Sequence, residues 1–179
     1  MSKLRLPHRV ILVVGVCLGI GAFAIAPSGA GNTSNLNYGT HLSGDNEVPP
    51  RDTRAQGQAT FHLSDDGTSL EYKLIVANIN NVFMAHIHLG PAGTNSPVVA
   101  FLYGPVAPAG GRVSGVIATG TITAANLIGP LAGHPLSDLI AAMNAGNTYV
   151  NAHTDDGVAP QNTGAGDFPG GEVRGQIVR

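Results

Sequence analysis

The chain has 179 residues, 43% of them hydrophobic and only 11% charged, with a net charge of −2. The first thirty residues carry Lys3, Arg5 and Arg9 and no acid, so the remainder holds six basic against eleven acidic side chains, a balance of −5. An acidic chain without a basic patch argues against nucleic acid and anionic membranes as partners. With Cys17 confined to those thirty residues, the remainder has no disulfide and no thiolate chemistry, and a metal must be held by nitrogen and oxygen.

Residues 1–30 have the three parts of an export signal: the basic end, an apolar stretch from Val10 to Ala26, and the small-residue site Ser28-Gly29-Ala30. Cleavage after Ala30 is expected, because cutting after Ala24-Ile25-Ala26 would leave Pro27 first. The apolar run is short of the roughly 20 residues that span a bilayer comfortably. An uncleaved N-terminal anchor is the alternative, and this segment would be the only membrane contact. Val16 precedes Cys17 where a lipobox wants a small residue, which argues against lipidation. The protein is therefore expected to be secreted or held in the cell envelope. Residues 31–35 read as a small-residue linker and residues 36–179 as one domain.

Low charge, no tryptophan and many Gly and Thr residues point to β structure. Period-two runs recur with turn residues between them, the pattern of a sandwich or barrel. In chain order the predicted strands are Tyr38 to Ser43, Gln56 to Leu63, Ser69 to Asn78, Phe83 to His88, Val98 to Tyr103, Arg112 to Thr121, Thr148 to Thr154 and Glu172 to Val178. Eight strands in one domain imply a closed or two-sheet architecture. Ser64-Asp65-Asp66-Gly67 predicts a hairpin turn, while Pro49-Pro50 and Gly104-Pro105 stop pairing. Between the sixth and seventh strands, Leu136, Leu139, Ile140 and Met143 fall at i, i+3, i+4 and i+7. Pro135 to Asn144 thus predicts a short amphipathic helix, stopped by Gly146. A shorter helical turn is expected within Thr123 to Leu127.

Alternation also assigns faces. If Ile87 lies in the core, His86 and His88 project from the outer surface of the sheet. With Val150 and Ala152 inside, Tyr149, Asn151 and His153 share that outer face. With Val173, Gly175 and Ile177 inside, Glu172, Arg174 and Gln176 point out. Histidines at i and i+2 on a strand have Cα atoms about 6.5–7 Å apart, so both imidazoles can reach one ion. A third histidine from a neighbouring strand would complete a nitrogen set suited to copper or zinc.

The stretches HLSGDNEVPP (41–50), GQATFHL (57–63), AHIHLGPAGTNSPVV (85–99), LSDLIAAMNAGNTYVNAHT (136–154) and PGGEVRGQI (169–177) resemble a CHRD domain, the module named from chordin. The resemblance covers about residues 36–179. In chordin such modules sit in a secreted antagonist of growth factors, but fold membership does not transfer that activity. A second, weaker resemblance is to copper–zinc superoxide dismutase. It rests on an early L-x-G strand, a G-x-x-x-F strand, His-Ile-His before a glycine loop, and a late His-Thr-Asp-Asp-Gly before G-G-x-x-x-G-x-I. It implies an eight-stranded Greek-key barrel, with His86 and His88 matching the copper-binding pair and His153 the late copper ligand. Nothing between Leu89 and Ala109 is a histidine, so the bridging histidine and the zinc ligands have no counterpart, and the disulfide is missing too. No zinc site is expected, and an efficient dismutase is in doubt.

Three functions compete: an exported binding protein taking copper through a surface site of His86, His88 and His153; a copper-dependent redox enzyme of superoxide dismutase type; and a structural or adhesive module without metal. In the last, the histidines are a hydrogen-bonded polar cluster fixing loops. An enzyme is the less favoured reading, since G-x-S-x-G, a cysteine nucleophile and a phosphate loop are all missing. His134 could swing in as a fourth ligand but is expected in solvent; His41 and His62 read as surface residues. Glu172 and Arg174 are expected to form a cross-strand ion pair, with anion attraction by Arg174 as the alternative. The loop from His153 to Asp167 offers three carboxylates and several carbonyls, donors of the kind calcium takes, at a spacing that matches no loop of known mechanics. The sequence leaves an extracellular protein partner open.

Overall fold

The structure is a computed structural model that describes residues 36–179. The predicted export signal and linker lie outside the described residues. The period-two runs form eight strands: β1 (Asn37–Ser43), β2 (Gln56–Leu63), β3 (Leu70–Asn80), β4 (Val82–Leu89), β5 (Val98–Tyr103), β6 (Arg112–Ile122), β7 (Thr148–Thr154) and β8 (Val173–Gln176). Each lies within two residues of its predicted range at both ends.

All pairings are antiparallel, in the order β5-β4-β7-β8-β1-β2-β3-β6. Consecutive hairpins make β1-β2-β3, and later strands return beside earlier ones, β6 next to β3, β7 next to β4 and β8 next to β1. This is Greek-key connectivity. β5 and β6 stand at the two ends of the order, so the sheet curls into a nearly closed barrel with one open seam. The Tyr72 hydroxyl donates to the Leu102 carbonyl (2.8 Å), tying β3 to β5.

The barrel is filled by the inward side chains, among them Leu42, Phe61, Leu74, Ile87, Val99 and Val150. The predicted helix, α1 (Leu136–Asn144), lies in the connection from β6 to β7 and buries Leu136, Leu139, Ile140 and Met143, the four residues of its apolar stripe. Burying each contributes roughly 1.5–3 kcal/mol. Gly146, at φ +69°, ends it: its N–H donates to Met143 O (3.0 Å) and the Asn147 N–H to Ala142 O (2.9 Å), closing a Schellman motif. A 3-10 turn at Ala124–Asn126 stands where the shorter helical turn was expected, and the Gly67 N–H closes the hairpin turn on Ser64 O at 2.9 Å.

The outer face positions the site. Three connections, residues 44–55, 90–97 and 155–172, are hydrogen-bonded onto the outside of β4, β7 and β8. Every residue of β7 is consequently buried, outward side chains included.

Candidate metal centre

On β4, Ile87 faces the core and His86 and His88 face outward. The antiparallel register sets Met84 opposite His153, His86 opposite Asn151 and His88 opposite Tyr149. His153 is thereby the diagonal neighbour of His86, and His86 Nδ1 lies 3.1 Å from His153 Nε2. The ring centroids are 4.8 Å apart for His86 and His153, 5.6 Å for His86 and His88, and 6.2 Å for His88 and His153. One ligand nitrogen from each ring lies within 4.8 Å of the others.

The structure corrects the expected surface location. The histidines do occupy the outer face, but they are only 3%, 7% and 5% exposed for His86, His88 and His153. Alternation reports which side of a sheet a residue takes; here that side is roofed by the loops. Aromatic rings close the flanks, with Phe101 edge-on to His86 at 4.5 Å and Phe83 edge-on to His153 at 6.3 Å.

The loops also set the tautomers. His88 Nδ1 donates to Ser96 O (2.7 Å) and His153 Nδ1 donates to Pro169 O (2.8 Å). A carbonyl oxygen can only accept, so both rings carry their proton on Nδ1 and keep a lone pair on Nε2. His153 Nε2 faces two neighbours, His86 Nδ1 and Asn151 Oδ1, the latter at 2.9 Å. Of these only His86 can donate, which leaves His86 Nε2 as a lone pair. The Nε2 atoms of His86 and His88 are buried without a hydrogen-bond partner.

Electrostatics keep the rings neutral. Burial pulls His86 down to about 3, helped by the neighbouring His153 and His88. Burial lowers His153 to about 4 against the opposing pull of the Pro169 carbonyl. His88 is lowered for the same reason, with the Ser96 carbonyl opposing. At neutral pH all three are uncharged, the state in which imidazole ligates a metal.

Arg174 and Glu172 hold the roof and do not form the expected ion pair. Arg174, 1% exposed, stacks its guanidinium 3.4 Å over the Tyr149 ring, whose other neighbour is His88, stacked at 4.7 Å and 7°. Its N–H groups donate to Pro91 O (3.1 Å), Thr94 O (3.0 Å) and Asn95 Oδ1 (3.4 Å). The Ser96 N–H donates to the Tyr149 hydroxyl (3.0 Å), so the glycine loop after His-Ile-His is pinned where its Ser96 carbonyl meets His88. Glu172 accepts from the hydroxyls of Thr53 and Thr154, both at 2.6 Å, and from the Gly166 N–H at 2.8 Å. The two residues share a face but serve different loops: the planar fork of Arg174 fits carbonyls, and the two oxygens of Glu172 fit hydroxyls and an amide.

Glu47, which nothing in the sequence singled out, borders the site together with Asn151, which alternation puts on the outer face beside His153. Glu47 is 4% exposed, and burial pushes its carboxyl up to about 7 against the charges of Arg174 and Arg51. A Cβ on Gly171 would come within 2.5 Å of Glu47 Oε1 and 2.9 Å of Asn151 Nδ2, which places these groups together under that glycine at φ +124°. Glu47 lies in the HLSGDNEVPP stretch, where no periodicity marks it. The Ser96 and Pro169 carbonyls carry no side-chain signal at all. His134 is no fourth ligand: its Nδ1 pairs with Asp138 Oδ2 at 2.8 Å on the exposed start of α1. His41 is exposed and His62 half-buried against Asn37.

By type, three neutral imidazoles suit copper or zinc. Structural zinc asks for four protein ligands, and among the described residues no fourth His, Cys, Asp or Glu joins the three. The sequence model of the CHRD domain matches residues 38–177, nearly the whole described chain. No curated protein and no solved structure is matched.

Proposed function

Because the chain belongs to the CHRD domain family, we propose that it is an exported binding protein whose His86, His88 and His153 take up copper. One observation carries the reading: three buried ligand nitrogens within 4.8 Å, two of the rings held by carbonyls in the tautomer that leaves Nε2 unprotonated. Histidine ligands in metal sites are oriented in the same way, by a second hydrogen bond from the other ring nitrogen. Bound copper would add a redox-active Lewis acid. The chain's own contribution is orientation by Ser96 O and Pro169 O and exclusion of water by Phe83, Phe101 and the loops. Export rests on the signal-like residues 1–30.

Binding is favoured over superoxide chemistry on a specific ground. Arg174, the side chain that could have drawn an anion to the site, is buried and spends its donors on Pro91, Thr94 and Asn95.

The test is titration of the protein with Cu(II) and with Zn(II), beside a His86→Ala/His88→Ala variant whose fold is checked by circular dichroism. Retention of a single copper equivalent by the native chain and its loss from the variant is the expected result. Equal uptake by both would sink the three-histidine site. Copper uptake with superoxide decay no faster than free-copper controls leaves capture standing and removes the enzyme; no uptake at all leaves a structural or adhesive module.

A further inference from the structure

A second cluster lies in the connection from β7 to β8. Asp155, Asp156 and Asp167 each bring a carboxylate oxygen within 4.8 Å of the other two. The base of the loop is clamped: the Asp155 N–H donates to Asn81 O (3.0 Å) and the Ala109 N–H donates to Asp155 O (2.9 Å). Each carboxylate accepts from the loop, and Asp155 also takes the Gln161 side-chain N–H on its second oxygen, Oδ2, at 3.5 Å. Asp155 Oδ1 accepts from the Gly157 N–H (2.7 Å), Asp156 Oδ1 from the Val158 N–H (2.9 Å), and Asp167 Oδ2 from the N–H and hydroxyl of Thr163, both at 2.8 Å.

The deciding atom is Asp167 Oδ1. Asp167 is 3% exposed, and this oxygen is buried with no hydrogen-bond partner. A buried acceptor left unpaired costs about 1–3 kcal/mol, more when charged, so native structures seldom keep one without a partner, whether protein, water or an ion. Among the described residues no lysine or arginine pairs with any of the three carboxylates. Three carboxylates thus converge without a counter-charge, and one of them is buried.

We propose that Asp155, Asp156 and Asp167 bind a calcium ion. The donors are all hard oxygens, which suit calcium or magnesium rather than copper. Calcium takes about six to eight oxygens in flexible geometry, whereas magnesium demands a near-ideal octahedron and gives up its water reluctantly, so a loop bearing three carboxylates suits calcium better. Carbonyls of the loop and water complete the shell. The site is separate from the three histidines and does not depend on copper binding there.

Calorimetric titration of the full chain with Ca²⁺ alone, with Mg²⁺ as control, tests this. The expected result is calcium binding with a dissociation constant of about 0.1–1 mM, a raised melting temperature, and a smaller response to magnesium. Asp156→Asn keeps an oxygen for the Val158 N–H and should fold while binding calcium about tenfold more weakly. Asp167→Asn should abolish binding, and His86→Ala/His88→Ala should leave it unchanged. No heat up to about 10 mM Ca²⁺, equal responses to the two ions, or undiminished binding by Asp156→Asn would each overturn the proposal.

Discussion

On β2 the outward side chains Gln56, Gln58 and Thr60 stand in solvent between the buried Gly57, Ala59 and Phe61. On β7 the outward Tyr149, Asn151 and His153 are as buried as Val150 and Ala152 between them. Both strands obey period two, and both feed the same core. They differ in what lies outside. Among the described residues no connection roofs the outward side chains of β2, while three connections roof β4, β7 and β8 and are held by Arg174, Glu172 and Tyr149. One half of the barrel is therefore a scaffold with a wet face. The other encloses a second, polar interior, and the candidate site occupies it.

The sharpest way to break this comparison is to remove the roof's anchor. Arg174→Ala unpairs the Pro91 and Thr94 carbonyls and uncovers Tyr149, and should cost about 3–5 kcal/mol in urea unfolding. A loss under about 1 kcal/mol would mean that the roof stands without it. Acid provides the next test. The histidines of the metal-free fold sit below the ordinary value of 6.5, at about 3 for His86 and about 4 for His153. The unfolded chain therefore binds more protons below 6.5, and the histidine contribution, whole above 6.5, is lost as pH falls toward 4 and 3. Glu47 runs the other way: raised from 4.5 to about 7, its contribution is whole below 4.5 and is lost as pH rises through 7. His86→Gln should flatten the acid decline of the unfolding midpoint, and Glu47→Gln should gain on the native chain above pH 7. Midpoints that follow pH identically in the native chain and both variants would count against this buried polar interior. The smallest effect belongs to the wet face, where Gln58→Ala should change stability by no more than about 0.5 kcal/mol. A large loss there would erase the distinction between the two halves.

Strand and helix positions were legible because inner-face alternation and the i, i+3, i+4, i+7 stripe of α1 are local properties. So was the clustering of the histidines, since period two puts His86, His88 and His153 on one side and the weaker resemblance, to copper–zinc superoxide dismutase, adds His153 to the pair. Their burial was not legible. It depends on contacts such as Arg174 with Thr94 and His153 with Pro169, made by backbone carbonyls whose positions no residue type announces. The expected pairing of Glu172 with Arg174 failed for a related reason. Charge signs predict a partner only where solvent leaves both groups free, and under a loop the nearest donors and acceptors are hydroxyls and peptide groups. Glu47 escaped notice because it lies in a connection, where the chain has no period to break.

The stack of Arg174, Tyr149 and His88 has an optical consequence. The chain has four tyrosines and no tryptophan, so its intrinsic emission is tyrosine emission. The Tyr149 ring lies parallel to one proposed ligand at 4.7 Å and beneath a guanidinium. An ion arriving at His88 should therefore change the emission of that ring, a part of the chain's tyrosine signal that can be followed without a label.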